Sequence, residues 1–286
     1  MLITRLWMGG VLILLTAGLL AFDTAWAPWY PFLMAASFIL AIPAALELHS
    51  LLPTPRPTPW SCALGVAVII AANWPSHLLG QPVLVAWAWV VGALVVVLMA
   101  YFLGEAWAYR EPGAVVARLG LAWFSVGYVG LLASFLLQVR WLAADDGTLA
   151  LALAVFVPKM GDSGAFFVGK LVGQHRMTPL LSPKKTWEGC LGGLVASVLA
   201  ACVLTQMIAG TTPRPIWWAV AFGLTVGGLG QIGDLMESLV KRDSGRKDAS
   251  QWMPGFGGVL DVLDSVLFSA PLSYLWFLVS THVISK

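Results

Sequence analysis

Charge is scarce in this chain: Asp, Glu, Lys and Arg make up only 10% of its 286 residues, hydrophobic residues make up 59%, and the mean hydropathy is +0.84. A soluble fold of this length cannot cover so much apolar side chain with so few charges, so a water-borne globule is excluded. Cysteine is scarcer still. Cys62, Cys190 and Cys202 lie far apart inside apolar stretches, an odd number without metal-ligand spacing, which excludes a disulfide framework and leaves packing as their role. The four histidines, His49, His77, His175 and His282, are equally scattered, so zinc chemistry and a histidine-activated nucleophile have no support. No soluble domain and no internal repeat interrupts the pattern, and a net charge of +2 calls for no nucleic-acid partner.

What is present is a succession of apolar runs, each near the roughly 20 residues that a bilayer-spanning helix needs. Nine spans are expected, over about 6–22, 30–49, 61–80, 83–103, 116–138, 148–169, 190–209, 215–238 and 259–280. A spanning barrel would instead alternate in segments of about ten residues, whereas the run from Val83 to Leu103 is apolar on every face. The expected fold class is therefore all-α, a polytopic integral membrane protein. The first run follows Arg5 and precedes Ala25-Trp26-Ala27, which also fits a cleaved leader. A spanning first helix is preferred because it completes the topology.

With the N-terminus in the cytoplasm, nine helices put Arg5, Arg56, Arg110, Arg118, Lys170, Arg176, Lys184, Lys185, Lys241, Arg242, Arg246 and Lys247 on the cytoplasmic side. Arg140, Arg214 and Lys286 fall opposite, and Lys159 falls inside a span. That bias is what the positive-inside rule demands, and it brings the two most polar loops to one membrane face. The chain reads as one membrane domain over 1–286. Within it, 1–147 forms scaffold helices, and 148–286 holds the catalytic helices and loops at the cytoplasmic side of the cell (inner) membrane. The segment from Leu51 to Pro59 carries four prolines and reads as a stiff polyproline connector.

Chemistry is concentrated after Lys159. Lys159 and Asp162 stand three apart within an apolar helix, where they can pair on one face and where charge is costly unless paired or wetted. A loop from Gly173 to Gly189 carries Ser182-Pro183-Lys184-Lys185-Thr186 just before a glycine-rich helix, a setting of cations, hydroxyls and helix N-terminus that suits phosphate. Asp234, Glu237, Ser238 and Lys241 recur at i, i+3, i+4 and i+7, one polar stripe on a lipid-bounded helix. Asp261 and Asp264 are again three apart at the start of the last span. Carboxylates from two helix ends at one depth, beside lysine-rich loops, suit magnesium and phosphoryl chemistry, with Asp234, Asp261 and Asp264 as the expected metal ligands.

A longer pattern runs through these residues: Ser238-Leu239-Val240-Lys241-Arg242, then Lys247-Asp248, then Pro254-Gly255-Phe256-Gly257-Gly258-Val259-Leu260-Asp261-Val262-Leu263-Asp264. It resembles the signature of the phosphatidate cytidylyltransferase (CDP-diacylglycerol synthase) family. Gly161-Asp162-Ser163-Gly164-Ala165-Phe166, Gly169-Lys170 and Ser182 to Gly189 resemble that family's upstream loops, so motifs cover about 158–265. The resemblance implies an all-helical membrane enzyme using CTP and phosphatidic acid, magnesium with K+ as a candidate second cation, and a homodimer. This chain has Phe256 where the family usually has histidine, and Val262 where it often has arginine. If that histidine handles a proton or contacts a phosphate, this chain does without it or uses another group, such as Lys247 or His175.

On this reading a phosphate oxygen of phosphatidic acid attacks the α-phosphorus of CTP and pyrophosphate leaves. Asp234, Asp261, Lys185, Lys241 and Asp264 are the expected catalytic residues. Ser182, Lys184, Arg242 and Lys247 would engage phosphates, and Asp248 would orient the cationic loop. Asp162, Ser163, Thr186 and Ser238 complete the substrate-binding set, and Gly255, Gly257 and Gly258 would let backbone approach a phosphate. Two rival readings stay open: a CTP-dependent kinase of a polyprenol or dolichol-type lipid, and an ion-coupled transporter, since intramembrane Asp and Lys also mark ion paths.

Overall fold

The computed structural model describes residues 2–142, 146–208, 214–250, 252–253 and 257–284. In chain order the helices are α1 (Leu2–Asp23), α2 (Pro31–Leu51), α3 (Pro59–Ala71), α4 (Pro75–Leu78), α5 (Val83–Ala108), α6 (Val115–Ser125), α7 (Leu132–Leu142) and α8 (Gly147–Val172). After α8 come two short strands, β1 (Arg176–Thr178) and β2 (Ser182–Thr186), and then α9 (Trp187–Met207), α10 (Ile216–Asp243) and α11 (Val259–Ile284). A π-helical turn, Val126–Leu131, joins α6 to α7, so that Val115–Leu142 forms one 28-residue span.

Among the described residues eight such spans are long and apolar enough to cross a bilayer: Pro31–Leu51, Pro59–Leu78, Val83–Ala108, Val115–Leu142, Gly147–Val172, Trp187–Met207, Ile216–Asp243 and Val259–Ser280. The chain is an all-α polytopic membrane protein. The ninth expected span, 6–22, falls on α1, a 22-residue helix from Leu2 to Asp23.

The chain divides into two compact units, one of Met1–Ser134 with Asp248–Val262, the other of Phe135–Lys247 with Leu263–Lys286. In the first, buried carboxylates and prolines set the helix starts. Pro31 opens α2, and Asp23, 1% exposed, accepts hydrogen bonds from the backbone N–H groups of Phe32 (3.0 Å) and Leu33 (2.9 Å). Thr58 caps α3 by accepting from the Ser61 N–H at 3.3 Å. The proline-rich connector places Arg56 within 3.4–3.5 Å of the carbonyls of His49, Ser50 and Leu52, so its cation closes the C-terminal end of α2. The apolar helix α5 buries little of itself and turns Leu84, Val91, Val96 and Leu103 outward, as lipid contact allows.

In the second unit small residues let α8 and α9 touch backbone to backbone. A Cβ on Gly164 would lie 2.4 Å from Ala196 Cβ, and one on Gly193 would lie 2.8 Å from the Gly161 carbonyl oxygen. Lipid supplies no hydrophobic drive for helices to associate, so such close van der Waals contact is what holds them. At the far end of the same unit Trp218, Phe222, Trp276 and Phe277 stack edge and face. Arg214 lies 5.0 Å from both the Trp218 and Phe277 rings and pairs with Asp146 at 2.9 Å.

Candidate active site

Helix geometry alone carries the polar stripe of α10. Asp234, Glu237, Ser238 and Lys241 share one face, and Glu237 and Lys241 are buried, at 1% and 8% exposure, with Lys241 Nζ 2.7 Å from Glu237 Oε2. Asp264 of α11 comes up to this stripe because position 233 is glycine. A Cβ there would meet the Asp264 carbonyl oxygen at 2.8 Å and Phe268 Cβ at 2.6 Å. The result is a cluster in which Asp234, Glu237 and Asp264 each offer one carboxylate oxygen, all within 4.8 Å of one another.

Three lysines neutralise the cluster from three different elements. Lys159 of α8 reaches Asp162 at 2.9 Å, the pairing that its i, i+3 spacing predicts, and also Asp264 at 3.1 Å. Lys241 is held on Glu237 as described. The third comes from the hairpin. β1 and β2 pair antiparallel, with Arg176 opposite Thr186, Thr178 opposite Ser182 and an irregular register between them. Lys184 is exposed, and Lys185 turns inward to Asp234 Oδ2 at 2.9 Å and to the Gln231 carbonyl at 3.4 Å. Four carboxylates therefore face three ammonium groups, a formal charge of −1. The Ser265 hydroxyl donates to Asp162 at 2.8 Å.

The other expected residues are distributed as follows. Thr186 caps α9, its hydroxyl accepting from the Gly189 N–H at 3.1 Å. Arg242 spans from the Leu181 carbonyl (3.0 Å) to that of Arg246 (3.3 Å), tying the hairpin to the end of α10. Ser163 donates to the Lys159 carbonyl one turn back at 3.0 Å. Ser182 is half-buried, Ser238 is buried, and Lys247 and Asp248 are exposed. His175, one of the two groups named as able to stand in for the missing histidine, is exposed and holds Glu188 at 2.5 Å. Gly255 and Phe256 lie outside the described residues.

The start of α11 holds a different arrangement from the one expected of it. Asp261, one turn before Asp264, uses Oδ2 to accept from the N–H groups of Ala249 (3.1 Å) and Gly258 (2.6 Å). The Gly257 N–H goes to the Met253 carbonyl at 3.0 Å, and those of Val259 and Leu260 go to Glu47. The N–H groups of Gly257 and Gly258 thus go to protein acceptors, and the described three-carboxylate group includes Glu237, not Asp261. Glu237 was visible in the sequence as part of the stripe. Glu47 was missed, although an acid near the end of an apolar span is itself a signal.

Oxygen-only donors on three carboxylates fit a hard divalent cation such as magnesium, which takes one or two carboxylates and completes its shell with water or phosphate oxygens. Ammonium groups around the same oxygens suit an anionic substrate.

The chain is thus a polytopic membrane protein whose helices and hairpin bring together a cluster of carboxylates and lysines. A model of the cytidylyltransferase family matches residues 3–280, and the chain belongs to that family. It is 36% identical over 148 residues to a protein of Staphylococcus saprophyticus named phosphatidate cytidylyltransferase, covering 52% of this chain and 55% of that one. A protein of the same name from Staphylococcus aureus is 35% identical over the same shares. The aligned stretch thus spans about half the length of these curated relatives.

Proposed function

We propose that this protein transfers the cytidylyl group of CTP to phosphatidic acid, giving CDP-diacylglycerol and pyrophosphate. The observation that carries the reading is the meeting of Asp234, Glu237 and Asp264 with Lys159 and Lys241, all on membrane helices, and with Lys185 of the hairpin. Family membership and the name borne by the Staphylococcus relatives support it.

A phosphate oxygen of phosphatidic acid forms the new bond to the α-phosphorus of CTP, and the bond from that phosphorus to the bridging oxygen breaks, its electron pair leaving with pyrophosphate. The nucleophile is already anionic, so no strong general base is needed, and positioning and charge neutralisation supply the rate. Asp234, Glu237 and Asp264 would hold magnesium, which when bound neutralises the triphosphate, with Asp261 a further carboxylate one turn away. Lys185, from a hairpin, and Lys241, from α10, would receive charge on the phosphates as it shifts toward the leaving group. Lys159 bridges Asp162 and Asp264.

The reading puts the site at the cytoplasmic face of the cell membrane, where the basic loops gather and CTP is available. It includes K+ as a second cation and a homodimer as the assembly. The test is purified protein in detergent micelles with CTP, magnesium and phosphatidic acid, following both products. Equal amounts of pyrophosphate and CDP-lipid are expected. CDP with a newly phosphorylated lipid alcohol would replace this reading with the kinase.

A further inference from the structure

Glu47 lies near the end of α2, in the part of the chain that reads as scaffold, yet the residue is only 7% exposed and its carboxylate is engaged at the start of another helix. Oε1 accepts from the Ser250 hydroxyl at 2.6 Å and the Val259 N–H at 3.1 Å, and Oε2 accepts from the Leu260 N–H at 2.8 Å. Gly258 makes room for it: a Cβ there would lie 2.4 Å from Oε2. The first N–H groups of a helix have no partner within it, and a carboxylate on them is favoured by both hydrogen bonding and the helix dipole. Here that carboxylate comes from more than 200 residues away in sequence.

We propose that Glu47 is a positioning residue for the reaction, a carboxylate clamp that fixes the first turn of α11 and holds Ser250 beside it. The inference rests on the function proposed above. Within the clamped segment Asp261 ties Ala249 to Gly258, and α11 carries Asp264 one turn further on. With the clamp gone, the first-turn amides of α11 lose their acceptor and the carboxylates of that helix lose their fixed register. The positively polarised helix end is closed to substrate phosphate, because the donors of Val259 and Leu260 already serve Glu47.

The test compares the parent with Glu47→Ala, Glu47→Gln and Ser250→Ala in detergent, without reference to turnover. Hydrogen exchange of residues 257–262 reads the clamp, and Mn2+ affinity by electron paramagnetic resonance reads its effect on the carboxylates. In Glu47→Ala, exchange should quicken about five- to tenfold and Mn2+ should bind about tenfold more weakly. Glu47→Gln, whose amide oxygen still accepts, should recover most of both. Faster exchange with parental Mn2+ affinity, or a glutamine variant no better than alanine, overturns the proposal. If Glu47→Ala does not fold, Ser250→Ala decides, since parental exchange and affinity in that variant would overturn it. Absence of CDP-lipid synthesis by the parent counts against the proposed activity and leaves these two readouts intact.

Discussion

Lys185 Nζ lies 2.9 Å from Asp234 Oδ2, an ion pair that joins a short β-hairpin to a membrane helix. Neither partner is deeply buried, at 24% and 33% side-chain exposure, so the pair adds little stability by itself. Its consequence is placement: Lys184 stays exposed while Lys185 lies on the carboxylate cluster.

Loss of that placement should show in rate more than in fold. Lys185→Met is expected to lower kcat by about a hundredfold or more, in the range seen when one donor to developing charge is removed. Lys184→Met should cost under about tenfold, since an exposed phosphate contact is shared with solvent. Steady-state kinetics on purified variants of parental melting temperature check this, and equal losses at both positions would contradict it.

Gly233 is the contact that lets α11 reach α10 beside Asp234. Gly233→Ala should cost roughly 1–3 kcal/mol of stability through overpacking against Phe268 and the Asp264 carbonyl. Turnover should fall further than stability accounts for, because the added methyl pushes Asp264 from Asp234 and Glu237. Thermal unfolding in micelles and activity measured well below the transition separate the two effects.

Lys159 balances two carboxylates at once. Lys159→Met should destabilise the fold by roughly 1–3 kcal/mol, less than the ~3–5 kcal/mol of a fully buried pair because more than a quarter of the Lys159 and Asp162 side chains stays exposed. The double variant Lys159→Met with Asp162→Asn should regain part of that loss, since one unbalanced charge is removed. A double variant less stable than Lys159→Met would show that the pair is not coupled in this way.

The membrane fold was legible because hydropathy reads directly on a solvent that satisfies no backbone group, which leaves helices as the only answer for runs such as Val83 to Leu103. The α10 stripe and the Lys159–Asp162 pair were legible because both are periodicities within one helix. What stayed hidden depends on contacts across the sequence. The convergence of Asp264 with Asp234 rests on Gly233, one glycine among 29, and its role exists only against Phe268. Lys185 and Lys184 are indistinguishable until the hairpin leaves one exposed and sets the other on Asp234. Glu47 pairs with donors beyond position 249, and local spacing carries no record of that distance.

The most direct measurement of the central claim is an anomalous-difference map from crystals of the protein grown with Mn2+ and CTP. The account predicts a Mn2+ peak bound by carboxylate oxygens of Asp234, Glu237 and Asp264, and its loss in crystals of Glu237→Gln. A peak held elsewhere, or one that keeps its place and strength in that variant, would contradict it.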